Sequence, residues 1–226
     1  MNSFTLQYRH NTEPHRGLAV AGIFLIKGLL VLPHAIITQI LNQLAAILVY
    51  FGYWVIAFTG EMPQAVHRFA EITIGWNTRM WAWLAGIVDI YPPFETDPDY
   101  PASFPLARPE NPSKGWAVAG IFFLKFLVAL PHIIIMALLA VGAIVAIWVG
   151  YIVAAFTGRL PTGIQDFVAG VLQWNIRVYA WLGGFTDKYP PFSLEVAPGS
   201  QSPDSGFTPP DAGRASRPTQ RRHRHR

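Results

Sequence analysis

Four polar residues of this 226-residue sequence, His34, Asn77, Arg79 and Asp89, return in register as His132, Asn175, Arg177 and Asp187. Two histidines could hold a metal only if the fold brought them together, because neither has a carboxylate or second histidine at ligand spacing. An arginine inside an apolar helix costs at least about 2.5 kcal/mol on insertion scales, and normally finds water or an interior partner. Arg79 and Arg177 therefore point either to an anion or lipid-headgroup site between helices, or to pairing with helix-end carbonyls or reaching water through a tilted or shallow helix. Asp89 and Asp187 each stand two residues before a Tyr-Pro-Pro-Phe run, a place for a turn or cap partner. Gln39, Asn42 and Gln43 put three amides on nearly one helical face, suited to bonding a neighbouring helix. A pore lined by them is the competing reading. No phosphate loop, nucleophile elbow or zinc-protease motif occurs, so no catalytic residue, metal or cofactor is predicted.

The elements that position these groups follow from composition. Hydrophobic residues make up 52% and charged residues only 13%, about half the charged share of a soluble domain. A soluble chain so poor in charge could not cover its surface, and the class is membrane. There is no cysteine, hence no thiol chemistry. The net charge of +4 comes from six arginines between Arg214 and Arg226; without them 11 basic residues face 13 acidic ones. The body thus lacks the basic patch that nucleic acid requires. A basic tail instead suits cytoplasmic retention and contact with anionic lipid. Residues 1–17 carry no signal-peptide pattern, so the N-terminus is expected to stay attached.

Two copies of one pattern run through the chain at an offset of 98 residues, matching at 37 of 78 aligned positions between 17–94 and 115–192. GLAVAGIFLIK returns as GWAVAGIFFLK, Pro33-His34 as Pro131-His132, and each AFTG turn is followed by proline. The organisation is a polar segment 1–16, membrane repeats 17–94 and 115–192, a Pro-rich surface linker 95–114, and a disordered basic tail 193–226. Charge-free runs place a crossing helix at Ala35–Phe58 and another at Ile133–Phe156. The apolar segments before them, Leu18–Leu32 and Trp116–Leu130, read as in-plane or re-entrant helices turning at Pro-His, with Lys27 and Lys125 snorkelling to headgroups. A kinked continuous helix is the alternative. Second helices over Gln64–Val88 and Thr162–Thr186 carry a stripe of small and charged residues, which suits crossing helices better than interfacial ones. Glu71 is placed to pair with Arg68. The sequence thus predicts an all-α, multi-pass helical membrane protein. It has a tandem duplication and about two crossing helices plus one in-plane helix per copy. Both termini lie in the cytoplasm.

The LeuProHis steps, the Phe-Thr-Gly turns, Trp76/Arg79 and Trp174/Arg177, and the two YPPF ends resemble an uncharacterised bacterial membrane family. It is catalogued as domain of unknown function forty-three eighty-nine. The resemblance covers most of residues 17–194 and implies a small multi-pass protein, with no catalytic residue to transfer. Copy one departs from copy two at the turn: Glu61 stands opposite Arg159 and Arg68 opposite Asp166, so the halves need not act alike. The expected role is a non-catalytic accessory or scaffold in the cytoplasmic membrane. Its partners would be membrane lipids and either another protein or a second copy. An oligomeric transporter or channel for a small anionic or lipid-like substrate is the alternative.

Overall fold

The computed structural model describes residues 5–96 and 98–196; the basic tail beyond them lies outside the described residues. Seven helices and one minimal strand pair form the described chain. The order is β1 (Gln7–Tyr8), α1 (Arg16–Ile23), α2 (Ile26–Leu30), α3 (Leu32–Thr59), α4 (Gln64–Leu84), β2 (Ala102–Ser103), α5 (Lys114–Ile121), α6 (Leu124–Thr157) and α7 (Thr162–Leu182). The fold is all-α and repeats itself, copy two echoing copy one. Only α3 and α6, of 28 and 34 residues, are long and apolar enough among the described helices to cross a membrane. Both leave most of their apolar surface exposed. Helix α4 ends at Leu84 and α7 at Leu182, where the chain turns at Gly86 and Gly184 in the left-handed region.

The turn expected at Pro-His lies elsewhere. Pro33 opens the first turn of α3, where a missing N–H costs no helical bond, and α6 runs on through Pro131. The helix breaks eight or nine residues earlier, at Leu25 and Phe123, both with φ 59°. Such a backbone costs a non-glycine residue about 1–2 kcal/mol. Closing bonds from Phe24 N to Val20 O (3.2 Å) and Leu25 N to Gly22 O (3.1 Å) hold it. Phe24 and Leu25 stand 70% and 73% exposed at this corner, and Phe122 and Phe123 repeat it in copy two.

Each copy's leading helix packs on the other copy's long helix: α1 lies against α6, and α5 against α3. Gly22 abuts the ring of Tyr151 and Gly120 that of Tyr53, so backbone meets aromatic face with no intervening side chain. The exchange reaches upstream of the sequence repeat. Leu6 N donates to Gln173 Oε1 (2.9 Å) and Tyr8 to Asp166 (2.6 Å), while His67 and Arg108 tie the linker to copy one at Leu106 O (3.0 Å) and Met62 O (2.7 Å). The strands pair antiparallel, Gln7 with Ser103 and Tyr8 with Ala102. The next pair in that register is Leu6 with Phe104, whose numbers differ by the repeat offset of 98. An approximate two-fold axis therefore passes through this pair, and the structural repeat starts about ten residues before the sequence repeat. The linker is accordingly no bare surface connection: Tyr100, Ala102, Phe104 and Leu106 are buried.

Candidate functional site

Two clusters recur in each copy. The first is an aromatic cage around histidine. Consecutive prolines favour a threefold extended helix in which residues three apart share a side. Tyr91 and Phe94 accordingly both reach His34, at ring-centroid distances of 5.0 and 4.0 Å, with Trp76 at 5.4 Å. Around His132 the matching rings are Tyr189 at 4.8 Å, Phe192 at 4.0 Å and Trp174 at 5.7 Å. Tyr91 donates to Leu30 O (2.9 Å) and Tyr189 to Val128 O (3.0 Å), in each copy the carbonyl three residues before proline. The cages differ in their proton. Because Tyr91 spends its hydrogen on Leu30, the 3.0 Å contact to His34 Nδ1 makes that nitrogen the donor. Trp174 can only donate, so its 3.0 Å bond leaves His132 Nδ1 bare. The two rings hold opposite tautomers.

The second cluster is built around lysine. Lys27 and Lys125 do not snorkel: each is 1% exposed, sealed beneath the leading helix and the other copy's tyrosine. Lys27 Nζ donates to Trp83 O at 2.6 Å, and Lys125 likewise donates to Trp181 O. These carbonyls belong to the last turns of α4 and α7, where helical donors run out and a cation is favoured. Each ammonium also faces rings, Lys27 over Trp83 (4.5 Å) and Tyr151 (5.0 Å), Lys125 over Trp181 (4.7 Å) and Tyr53 (5.3 Å). Lys27 lies outside both long apolar helices, and burial lowers it to about 8 against the opposing pull of Asp89. Tyr151 donates to Leu84 O, the adjacent helix-end carbonyl.

Asp89 and Asp187 border these clusters and serve the leading helices. Asp89 Oδ2 accepts from His15 N (2.7 Å) at the start of α1, and Asp187 Oδ2 from Ser113 N (2.8 Å) at the start of α5. The crevice in copy one, between Lys27, Asp89, Gly86 and Tyr151, has room for about one water molecule; its counterpart beside Lys125 and Asp187 is closed.

The remaining sequence candidates scatter. Arg79 donates to Glu95 O at 2.9 Å and so meets a linker carbonyl, not a shared cavity. Arg177 is half-buried on α7. Asn77 pairs with Asn42 (2.9 Å) across α3 and α4, whereas Asn175 faces the Met136 sulfur at 3.8 Å. Gln39 and Gln43 are exposed. Arg68 does reach Glu71, at 3.4 Å. The structure brings His34 and His132 each to its own cage and sets Asp89 and Asp187 at the lysine clusters. Lys27, Lys125, Tyr53, Tyr151, Trp83 and Trp181 were missed as site residues. All six recur at the repeat offset, a signal that was present in the sequence.

The class is now defined: an all-α tandem-repeat protein whose copies exchange leading segments, with one apolar helix per copy long enough to cross a membrane. The family model described as Domain of unknown function (DUF4389) matches residues 23–95 and again residues 121–193. The chain belongs to this family and carries its domain twice. No curated protein and no solved structure matches the chain.

Proposed function

We propose that this is an integral protein of the cytoplasmic membrane that supports a partner complex or organises lipid and carries out no reaction of its own. The observation that carries this reading is how the repeated ionisable groups are spent. Lys27 and Lys125 serve helix-end carbonyls, and Asp89 and Asp187 serve helix-start amides, leaving crevices too narrow for a substrate. These bonds tie each copy's leading segment to the end of its own second helix, and Tyr151 and Tyr53, reaching across to Leu84 O and the buried lysines, join one copy to the other. Outward, α3 and α6 present Ile36, Ile40, Ile47, Ile134, Leu138 and Ile144 to whatever surrounds them, the chemistry of a lipid-facing helix. With both helices crossing, the Arg-rich tail keeps its end in the cytoplasm.

The transport reading requires Gln39, Asn42, Arg79 and Arg177 along one polar path. The turn of Arg79 to the linker speaks against it. Two measurements test the proposal. Gently solubilised protein is expected to co-purify with a stoichiometric partner or a defined lipid, and liposomes containing it to pass anions no faster than empty ones. An anion flux lost on Arg79→Leu would overturn it.

A further inference from the structure

We propose that two copies of this chain pair through α3, Gln39 and Gln43 of each bonding the same residues of the other about a two-fold axis. The proposal rests on the reading that α3 crosses the membrane. Gln39 and Gln43 lie within the first half of a 28-residue apolar helix, and Gln43 is about 4 Å along the axis from its midpoint. Both are exposed, and neither makes a hydrogen bond within the described residues. Asn42 between them is already engaged with Asn77 on α4. Two uncharged amides in hydrocarbon need partners, because no water is there to take their bonds.

What fits such a stripe is another like it. A carboxamide carries both donors and acceptors, so an identical stripe related by a two-fold axis satisfies it without any charge. One turn further along, Ala46 is small and exposed on the same face, which lets two backbones approach closely. Copy two carries Ala137 and Val141 at the positions of Gln39 and Gln43, so the chain has this stripe once. One self-complementary patch per chain closes at a dimer and cannot propagate a filament.

The absence of cysteine makes the test clean. In native membranes, oxidation of the Ala46→Cys variant is expected to give a band of twice the chain mass. The Ile144→Cys variant, at the matching exposed position of α6, is expected to give none. Adding Gln39→Leu and Gln43→Leu removes the amide bonds and is expected to lower the cross-linked fraction about tenfold. No cross-link at Ala46→Cys, equal cross-linking of both variants, or survival of the band in the leucine background overturns the pairing. A band at any other mass does so too, in favour of a different partner. A membrane-impermeant maleimide separates the two proposals. Labelling of Ala46→Cys shows α3 outside the hydrocarbon and takes the crossing reading down with the dimer; no label and no cross-link overturns the dimer alone.

Discussion

Substituting Gly22 by alanine tests the exchange of leading helices through a single added methyl. A Cβ at Gly22 would lie 2.3 Å from Tyr151 Cδ2 and 2.4 Å from Cε2, whereas ordinary contact begins at 3.4 Å. Something must move by more than an ångström. The obstacle is a buried ring pinned by its hydroxyl to Leu84 O and pressed against Lys27, so it cannot swing away as a flexible chain end would. Overpacking of this kind costs about 1–3 kcal/mol. Alanine itself favours the helix by up to about 1 kcal/mol over glycine, so the net loss for Gly22→Ala is about 1–2 kcal/mol. The decisive experiment is a cycle with Tyr151→Leu, read by SDS or thermal unfolding of detergent-solubilised protein followed by tryptophan fluorescence. Without the ring the added methyl meets nothing rigid, and Gly22→Ala is expected to be neutral or slightly stabilising there. The coupling between positions 22 and 151 is then about 1–3 kcal/mol, although they belong to different copies. An equal cost in both backgrounds would refute the packing of α1 on α6.

Three further outcomes follow from the same geometry, each read by the same unfolding assay. Tyr91→Phe is expected to cost about 2 kcal/mol and Tyr189→Phe about 1, because the first hydroxyl serves both Leu30 O and His34 Nδ1 and the second serves Val128 O. Lys27→Met keeps the buried stem and gives up a desolvated charge together with its bond, so stability should stay within about 1 kcal/mol of the parent; Lys27→Glu, setting a carboxylate against Trp83 O, should prevent folding. Asp187→Ala removes the acceptor for the amide of Ser113, the residue that leads into α5, and should cost about 1–2 kcal/mol, with Asp187→Asn recovering about half.

The long helices were legible because length and apolarity suffice: Ala35–Phe58 and Ile133–Phe156 fall inside α3 and α6. Position beside Pro-Pro suggests Asp89 and Asp187 as turn or cap partners, but it does not point to the amides they accept from, His15 N and Ser113 N, each 74 positions upstream. Lys27 illustrates what was not. A lysine-bearing apolar run is ordinarily read as one whose charge escapes to the surface, because burial needs a partner, and here the partners lie far along the chain at Trp83 and Tyr151. The same blindness hid the break at Leu25: its left-handed backbone is a glycine preference that sequence reading does not assign to leucine or phenylalanine. Pro131 is where sequence places the break, yet α6 runs on through it. The upstream extension of the repeat escaped because Leu6 and Phe104 share burial and register but not identity.

Reciprocal packing also sets an order of events during synthesis. Helix α1 needs α6, and roughly a hundred residues separate them, which at 5–20 residues per second is roughly 5–20 s of translation. Throughout that interval Lys27 has no Tyr151 to close over it and Gly22 faces no ring. The first half of this protein is therefore an unfinished surface waiting on the ribosome, and it becomes a folded unit only when the second half arrives to receive it.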